Sequence, residues 1–303
     1  MPGNYWSSKR VGVALATLAA LGFSFKAIFV KLAYAAAPVD AVTLLSLRMV
    51  FSLPVFVWVA FHTSQPSRST EPLTRRDWAM LVGLGLLGYY GASILDFLGL
   101  QYISAGLERL VLFTYPTLTI LIGVLFMGKS LHRREVGALL LTYIGIGLAF
   151  AHDVEIASEI GPVLIGSALV LGSSLCYAFY QSGAESMIQR LGSARFTALA
   201  MIVSTVATQL HFLAKQPLSA LIQPWPIYAY GAAMALFSTV LPVFMNSAAI
   251  RRIGVAQSVL IGTLGPVLTI VFSWWLLDEP LSLAQIGGAA LVLAGVMLAS
   301  RRR

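Results

Sequence analysis

A repeat within the sequence constrains this chain more than any other feature does. Residues 105–150 align with residues 255–300 without a gap, at an offset of 150 positions that places Pro116 on Pro266. The same offset relates further identical residues, which in the first copy are Leu21, Gly22, Ser24, Leu118, Thr119, Ile120, Leu131, Gly137 and Gly145. A repeat of this size has to be interpreted before any local pattern, because it decides the architecture. The sequence therefore predicts one structural unit that is present twice.

The composition indicates that both copies lie in a membrane. Of the 303 residues, 58% are hydrophobic and 11% are charged, whereas soluble domains carry about 25% charged residues. A helical span needs about 20 apolar residues, and we identify ten such stretches, here called spans 1 to 10. They cover residues 11–35, 41–61, 78–99, 104–126, 134–151, 162–184, 196–213, 227–248, 255–277 and 283–300. Their apolar residues do not alternate, and so we predict an all-α integral membrane protein rather than a β-barrel.

The positive charges predict the orientation of the spans. Of the 20 bases, 15 lie in the two tails and in the loops after spans 2, 4, 6 and 8, and Lys215 is the main exception among the loops. The 15 are Lys9, Arg10, Arg68, Arg75, Arg76, Lys129, Arg133, Arg134, Arg190, Arg195, Arg251, Arg252 and Arg301 to Arg303. Cytoplasmic loops carry an excess of Lys and Arg, and we therefore predict a protein of the cell (inner or plasma) membrane with both termini cytoplasmic. This pattern explains the net charge of +8 without a nucleic acid partner. The first apolar run is too long for a signal peptide, and we interpret it as an uncleaved span.

Each copy contains five spans, which is an odd number. The second copy, residues 153–303, must therefore cross the membrane in the opposite sense to the first copy, residues 1–152. Inverted repeats are typical of secondary transporters, in which two copies of one scaffold exchange inward-open and outward-open shapes. The alternative is that the duplication only built a stable bundle. The pattern predicts ten transmembrane helices, arranged as two inverted five-helix repeats that form a single transport unit.

Two spans are interrupted at corresponding positions. Span 4 carries Pro116, and span 9 carries Gly262, Gly265 and Pro266. A proline inside a helix removes a backbone hydrogen bond, and a membrane tolerates this loss where neighbouring groups or water satisfy the free carbonyl. Paired interruptions are the best indication in a sequence of a central transport site. We therefore expect these four residues to form helix breaks that act as hinges.

Five ionisable side chains lie clearly inside the spans, namely Lys26, Arg48, Asp96, Glu108 and Arg109. The residues at the equivalent positions of the second copy are uncharged: Cys176, Ala198, Asn246, Ser258 and Val259. Ionisable groups in a membrane usually face the protein interior or a wet cavity, and all five map to the outer half of the membrane. We expect an outer gate or an outward-displaced binding site, in which Asp96 pairs with Arg109. The sequence offers no evident partner for Lys26, and purely structural ion pairs at helix ends remain the alternative.

Polar aromatic residues accompany these charges. Tyr89 shares a helical face with Asp96, and Tyr115 lies seven residues after Glu108 on another face. Together with the neighbouring Tyr90, they predict an aromatic and polar cavity that suits a small amphipathic molecule. In the second copy, Asn246 and Ser258 are two further candidates for the cavity lining. These two residues could line the inner half of the cavity or, equally, hold helices together.

Other patterns exclude competing functions. Residues 83–88 match the G-x-G-x-x-G fingerprint, but this fingerprint requires a preceding strand that an apolar span does not supply. Residues 123–130 likewise match the phosphate-binding G-x4-G-K-[ST] motif formally, but that motif requires a loop between a strand and a helix, which an apolar span does not supply. ATP is therefore not expected to drive the protein directly. The four histidines are scattered over different loops, which disfavours a membrane-embedded transferase. We predict no enzyme activity, no cofactor and no metal site.

The sequence leaves several properties of the predicted transporter open. The expected partners are a small-molecule substrate and the lipid bilayer, and both a monomer and a homodimer are compatible with the pattern. Proton coupling would need a titrating carboxylate in the path, for which Asp96 and Glu108 are the candidates, and facilitated diffusion is the alternative. A channel or a lipid or metabolite scaffold without coupled transport is the competing class, and it would show no saturable exchange.

The pair of P-x-L-T-I spans, each followed by a short loop and a G-x7-G span, resembles the drug/metabolite transporter superfamily in its ten-span EamA-type branch. Here these segments are Pro116 to Gly145 and Pro266 to Gly295, and the resemblance covers nearly the whole chain. The segment Tyr115 to Thr119 looks most similar to YddG-type amino-acid exporters, whose substrates include aromatic amino acids. The resemblance implies export of small metabolites by alternating access around a central cavity.

Overall fold

The computed structural model describes residues 3–64, 73–127, 132–157 and 159–300. Side chains are described for these residues except 3–8, 127, 134, 254–256, 259–260 and 299–300. Several of the predicted loop bases lie outside this described part, namely Arg68, Lys129, the side chain of Arg134 and Arg301 to Arg303. The described residues form helices that are joined by short loops, and no strand occurs among them. The protein is therefore all-α, as predicted.

The first repeat contains spans 1 to 5. Their helices are Gly3–Ala36 for span 1, Ala41–Thr63 for span 2, Arg75–Gly85 and Ala92–Gly99 for span 3, Ala105–Leu112 and Tyr115–Met127 for span 4, and Arg133–Ile156 for span 5. A π-helical turn, Leu86–Gly91, joins the two parts of span 3. Asp40 caps span 2 by accepting hydrogen bonds from the backbone N–H groups of Val42 and Thr43. This local cap defines where span 2 begins.

The second repeat contains spans 6 to 10. Its helices are Ile160–Leu191 for span 6, Ser193–Lys215 for span 7, Trp225–Ala235 for the first part of span 8, Leu241–Gly262 for the rest of span 8 and the start of span 9, Leu264–Leu277 for the rest of span 9, and Leu283–Ser300 for span 10. A short 3₁₀ turn, Leu218–Leu221, precedes span 8. Within the described ranges, eight helical stretches are long and apolar enough to cross a membrane, and two shorter apolar helices complete the ten spans.

The helical stretch Leu241–Gly262 is not one straight helix, because the chain folds back on itself within it. Ser258 Oγ donates to Asn246 Oδ1 at 2.8 Å. In a straight helix, residues twelve positions apart are separated by about 18 Å along the axis, which these short side chains cannot bridge. The chain therefore turns back between the two residues. The predicted loop between spans 8 and 9, which contains Arg251 and Arg252, lies in this turn, although its backbone is helical.

Irregular backbone recurs at the same offset as the sequence repeat. The π-helical turn Leu86–Gly91 of span 3 has a counterpart in Leu236–Val240 of span 8, 150 positions later. The helical interruption after Leu112 in span 4 matches the interruption after Gly262 in span 9, at the same distance. Within the described ranges, each repeat thus carries one π-helical turn and one helix break, at equivalent positions.

Equivalent spans run antiparallel to each other. In spans 5 and 10, Gly137 lies next to Leu298, whereas Gly145 lies so close to Gly288 that a methyl group there would be 2.5 Å from the Gly288 carbonyl oxygen. As residue numbers rise along span 5, those of its partner fall along span 10. Spans of opposite direction are what two inverted repeats of five helices require. The fold is thus ten spans in two inverted repeats.

Span 1 packs against span 8, and span 6 packs against span 3 in the same manner. Gly12 contacts Arg252 and Ile253, whereas Gly22 contacts Pro242. The N-terminal half of span 1 is thereby placed against an antiparallel partner, and its N-terminal end lies beside the turn at Arg252. Each repeat donates its first helix to the other repeat, and the two repeats form one interlocked body.

Candidate functional site

Lys26 of span 1 lies between two carboxylates deep in the bundle. Its Nζ atom is 2.7 Å from Asp96 Oδ2 of span 3 and 3.3 Å from Glu108 Oε1 of span 4. The side chains of Asp96 and Glu108 are 1% and 0% exposed, whereas that of Lys26 is 18% exposed. Charged groups that are removed from water need partners of opposite charge. These three side chains, here called the ionic triad, join spans 1, 3 and 4 at one point.

The predicted pair of Asp96 with Arg109 is wrong, because Lys26 is the partner of Asp96. Arg109 follows Glu108 directly, and consecutive residues of a helix point about 100° apart. When Glu108 faces spans 1 and 3, Arg109 faces a different neighbour, which is span 9. A methyl group added to Gly265 of span 9 would lie 2.9 Å from Arg109 Nη2.

Arg109 is buried, and it has no ion pair within the described part of the chain. Its side chain is held in place by the ring of Phe113, whose centroid lies 5.3 Å from the guanidinium carbon. The Nε atom finds no hydrogen-bond acceptor among the described residues, although Arg109 acts electrostatically on Glu108. A cation–π contact satisfies a guanidinium only in part. Arg109 therefore retains donor capacity toward the interior of the protein.

Arg48 of span 2 lies on the other side of the ionic triad. Its Nη2 atom donates to Ser93 Oγ at 3.1 Å, and its guanidinium carbon lies 5.1 Å from the centroid of the Phe97 ring. Arg48 also acts electrostatically on Asp96. The structure thus arranges Arg48, the ionic triad and Arg109 as one row of five charged groups, here called the ionic row. When both acids are ionised, the row carries a net charge of about +1, as expected for three bases and two acids.

An aromatic cluster lies two helical turns further along span 4. Tyr115 makes an edge contact with Tyr177, with ring centroids 4.9 Å apart, and Tyr177 stacks on Tyr180 at 5.5 Å. The hydroxyl oxygens of Tyr180 and Tyr89 are 3.0 Å apart. Aromatic pairs in such geometries contribute more than their buried area alone. The cluster therefore forms a rigid wall of rings with polar edges.

The sequence prediction names Tyr89 and Tyr115 in this region, but it misses Tyr177 and Tyr180. These two residues are three positions apart on span 6, so they share a helical face. That spacing was available in the sequence, whereas the contact of span 6 with spans 3 and 4 was not. Gly88 permits the contact, because a methyl group at this position would overlap the ring of Tyr180.

Tyr90 points away from the aromatic cluster. Its hydroxyl lies 2.9 Å from Nδ1 of His211 on span 7, and the two rings meet edge to face. Consecutive residues on a helix point about 100° apart, so Tyr89 reaches Tyr180 of span 6 and Thr197 of span 7, whereas Tyr90 reaches His211. The structure does not place Tyr90 with the other tyrosines that the sequence groups together.

The helix break of span 4 is satisfied by a serine of the other repeat. Pro116 has no N–H group, and this leaves free the carbonyl of Leu112 four residues earlier. Ser174 Oγ of span 6 donates to that carbonyl at 3.1 Å and lies 2.6 Å from Thr114 Oγ1. Membrane helices tolerate proline where a side chain re-satisfies the freed group in this way.

The helix break of span 9 is held by the equivalent serine of span 1. Ser24 Oγ lies 3.1 Å from the carbonyl oxygen of Gly265 and 2.7 Å from that of Ala20, so these two acceptors share its one hydrogen. The Ser24 carbonyl accepts a bond from Thr269 Oγ1 at 3.3 Å. Gly262 ends one helix and Pro266 lies near the start of the next. Each repeat thus supplies a serine that holds the broken helix of its partner. Whether the breaks move as hinges stays a prediction.

Asn246 and Ser258 bind each other through the 2.8 Å bond described above. They occupy the positions that are equivalent to Asp96 and Glu108, which also interact with each other. Of the two predictions for this pair, the bond directly supports the role of holding spans 8 and 9 together.

Acidic side chains close the beginning of span 4. Glu279, from the loop between spans 9 and 10, accepts hydrogen bonds from the backbone N–H of Ala105 at 3.0 and 3.1 Å. Asp153, at the end of span 5, accepts from the backbone N–H and the hydroxyl of Ser104 at 2.9 and 2.8 Å. Carboxylates are stabilised at a helix N-terminus, where free N–H groups and the helix dipole favour negative charge. Burial nevertheless raises the pKa of Glu279, against the opposing effect of its bonds to Ala105 and of Lys31.

A cavity of about 580 Å³ opens next to this capped end. Its wall includes Lys31, Tyr34, Gln101, Leu277 and Glu279. Lys31 Nζ donates to the carbonyl of Ile103 at 2.9 Å. The loops after spans 1, 3 and 9 therefore meet at one face of the bundle, as expected if they all lie on the same side of the membrane.

Comparisons with known proteins agree with this architecture. The sequence matches the EamA-like transporter family twice, over residues 10–151 and 164–301. The uncharacterised transporter YcbK of Bacillus subtilis is 29% identical to this chain, and the alignment covers 90% of this chain and 88% of YcbK. A crystal structure with a TM-score of 0.65 and 16% sequence identity matches 95% of this chain and 96% of its own, and it shows the same fold.

Two relatives carry more specific names. The threonine/homoserine exporter RhtA of Escherichia coli is 26% identical, over 69% of this chain and 68% of its own. The probable terminal-alkyne amino-acid exporter of Streptantibioticus cattleyicolor is 23% identical, over 75% of this chain and 74% of its own. Because the family and these relatives are transporters, the protein is a multi-pass membrane transporter of small molecules and not an enzyme. With one match on each of its two repeats, the chain belongs to the EamA-like transporter family.

Proposed function

We propose that the protein is a secondary transporter that exports amino acids, including aromatic ones, and related small metabolites. The observation that carries this proposal is the ionic row. An amino acid presents an ammonium and a carboxylate within one small molecule, and the row offers buried acids and buried bases side by side. The two relatives that are named as amino-acid exporters support the same substrate class.

The proposed substrate site lies between the ionic row and the aromatic cluster. Both groups of side chains contact span 4 on either side of its second turn, and Tyr115 of the cluster lies just after the helix break at Phe113 and Thr114. A polar wall with charges would hold the amino-acid head group, and the tyrosine rings would contact an apolar or aromatic side chain. The resemblance to YddG-type exporters, which depends on residues 115–119, supports the aromatic part of this proposal.

Alternating access is the proposed mechanism. The two repeats, taken as residues 1–152 and 153–303, would rock against each other about the breaks of spans 4 and 9. The serine bonds at these breaks hold each broken helix to the other repeat, and such contacts can be exchanged without exposing a backbone carbonyl to lipid. We further propose that the protein lies in the cell membrane with both termini in the cytoplasm, since the basic loops favour that orientation.

The test is substrate counterflow in proteoliposomes that contain the purified protein. Vesicles preloaded with one unlabelled amino acid should accumulate the same labelled amino acid, with a saturable rate, whereas empty vesicles should not. A panel of the twenty amino acids, nucleotide sugars and quaternary amines identifies the substrate class. Flux that does not saturate and needs no internal substrate would favour a channel, and accumulation only of nucleotide sugars or quaternary amines would refute amino-acid export.

A matched pair of variants connects this test to the ionic row. Arg109→Ala should abolish counterflow while membrane insertion is retained, because the substrate carboxylate loses its buried partner. Arg252→Ala serves as the control, since Arg252 is exposed and donates to the carbonyl of Ala248 in its own helix at 2.9 Å. Wild-type exchange in the Arg109→Ala variant would remove Arg109 from the proposed site.

A further inference from the structure

The ionic triad already contains an ammonium group bound to two carboxylates. Lys26 Nζ lies 2.7 Å from Asp96 and 3.3 Å from Glu108, both of which are fully buried. A lysine ammonium has three donors and no acceptor. In charge and in donor number it is equivalent to the α-ammonium group of an amino acid. The triad therefore displays the contacts that a primary ammonium ligand would make at this place.

Two ammonium groups cannot share these contacts. A second cation that bound the same two carboxylates would lie within about 4 Å of Lys26 Nζ, where like charges repel strongly in a medium of low dielectric constant. The flanking Arg48 and Arg109 add further positive charge on both sides. An incoming ammonium group must therefore replace Lys26 Nζ, and the carboxylates then keep one ammonium partner throughout.

Lys26 is also the member of the triad that is able to leave. Its side chain is 18% exposed, whereas the two carboxylate side chains are almost completely enclosed. The ammonium group is carried on a flexible four-carbon stem, so Nζ can withdraw while span 1 stays in place. Next to Glu108, Arg109 keeps an Nε donor without an acceptor among the described residues, which suits the carboxylate end of the same ligand.

We propose that Lys26 is a built-in occupant of the ammonium subsite, and that a primary ammonium group of the transported molecule displaces Lys26 Nζ from Asp96 and Glu108. For the identity of the substrate this inference rests on the proposed function. The subsite itself recognises a primary ammonium group, whether or not a carboxylate is attached to it. Lys26 then acts as a specificity residue, since a compound without such a group cannot release the triad.

The experiment removes the occupant and supplies it from solution. Lys26→Ala deletes the atoms that correspond to n-propylammonium, and this cation is the probe. Thermal unfolding of the purified variant is measured with n-propylammonium chloride and with tetramethylammonium chloride at equal ionic strength. Wild type and Lys31→Ala are the controls, because Lys31 lies on the same helix and donates to a backbone carbonyl instead.

We expect n-propylammonium to raise the melting temperature of Lys26→Ala and to leave both controls unchanged. At ten times its dissociation constant, a ligand lowers the apparent unfolding equilibrium constant about elevenfold. The double variant Lys26→Ala/Glu108→Gln removes one cation and one anion together, and it should lose this response. Equal melting temperatures of Lys26→Ala with the two cations would overturn the inference, as would a variant that stays unfolded even when n-propylammonium is present during purification.

A second measurement uses the wild-type protein. An amino acid that counterflow identifies as a substrate should bind the protein at least tenfold more tightly than its des-amino analogue, as measured by thermal stabilisation. Equal affinities of the two compounds would contradict displacement of Lys26. The two proposals can fail separately. Stabilisation of Lys26→Ala by n-propylammonium without any amino-acid flux would refute amino-acid export and support the ammonium subsite. Amino-acid flux without that stabilisation would support export and refute the ammonium subsite.

Discussion

The ionic triad and its counterpart in the second repeat occupy the same place in the scaffold but contain different chemistry. Lys26, Asp96 and Glu108 correspond, at the offset of 150, to Cys176, Asn246 and Ser258. Asp96 and Glu108, two acids, interact with each other in the first repeat. Their equivalents Asn246 and Ser258, an amide and a hydroxyl, are hydrogen-bonded in the second repeat. The backbone of the duplicated unit is thus kept on both sides, whereas charge is found on one side only.

This difference separates residues that build the scaffold from residues that select the cargo. The paired features, namely the π-helical turns, the helix breaks and the serines that hold them, are present in both repeats. The unpaired features are the ionic row, which belongs to the first repeat, and the aromatic cluster, which combines tyrosines of both repeats beside the break of span 4 only. Around the break of span 9, the positions equivalent to Tyr115, Tyr177 and Tyr180 hold Gly265, Ala27 and Val30. A substrate site that is asymmetric can therefore be carried by a scaffold that is nearly symmetric.

The largest expected effect comes from removing a charge on one side of this comparison. Asp96→Ala leaves a buried ammonium with one acid in place of two, and we expect a loss of about 3 kcal/mol in the free energy of unfolding. The equivalent Asn246→Ala breaks one neutral hydrogen bond and should cost about 1 kcal/mol. Denaturant or thermal unfolding of both purified variants measures the difference. Equal losses would mean that the two sites are energetically alike, contrary to our interpretation.

Two equivalent glycines give the next largest contrast. A methyl group at Gly22 would lie 2.5 Å from the carbonyl oxygen of Phe237 and from Pro242, whereas at Gly172 the nearest atom is Leu95 Cδ1 at 3.3 Å. We expect Gly22→Ala to destabilise the protein by about 2 kcal/mol, since backbone and proline atoms cannot move aside easily. Gly172→Ala should stay within about 1 kcal/mol of wild type, because alanine also favours the helix. The melting temperatures of the two variants check this order, and an inverted order would refute the packing that we describe for spans 1 and 8.

The two serines at the helix breaks should, by contrast, behave alike. Ser24→Ala and Ser174→Ala each remove a donor to a carbonyl at a break, and each should cost about 1 kcal/mol. Since the serines hold different breaks, their effects should add in the double variant. Unfolding of the two single variants and the double variant tests this expectation. A loss at one serine only would show that the two breaks are not equivalent.

The smallest predicted effect concerns pH and is confined to one face of the protein. Burial raises the pKa of Glu279 in the folded state, so the folded protein binds this proton more tightly than the unfolded chain does. The stability that this group contributes is complete below its ordinary pKa, and it decreases as the pH rises through the raised value. Glu279→Gln should make thermal stability less dependent on pH in this range. A variant whose pH dependence equals that of wild type would exclude Glu279 as the source.

The sequence predicts the scaffold well because apolar length and the repeat offset are properties of the chain itself. Ten spans, their inversion and the interruptions near Pro116 and Pro266 follow from counting and alignment. The partner of Lys26 does not follow, because helical periodicity shows which residues of one helix share a face and not which helix lies opposite. For the same reason Arg109, paired with Asp96 by proximity in the sequence, faces Gly265 in the structure.

The candidate site is therefore predicted only in part. All members of the ionic row are evident from their charge in an apolar context, and Tyr89 and Tyr115 follow from their spacing to Asp96 and Glu108. Tyr177 and Tyr180 belong to the other repeat, and their role depends on the packing of span 6 against spans 3 and 4. The prediction also groups Tyr90 with its neighbour, although the rotation between consecutive helical residues directs it to His211.

The matched π-helical turns also bear on the history of the chain. A π-helical turn accommodates one more residue than the α-helix around it does, and here both turns begin at equivalent positions, Leu86 and Leu236. Two separate insertions at the same site are a less economical explanation than one. A single ancestral insertion, in a gene that still encoded five helices, accounts for both turns. On this account the extra residue is older than the duplication, and the charged residues of the ionic row, which are confined to one copy, diverged after it.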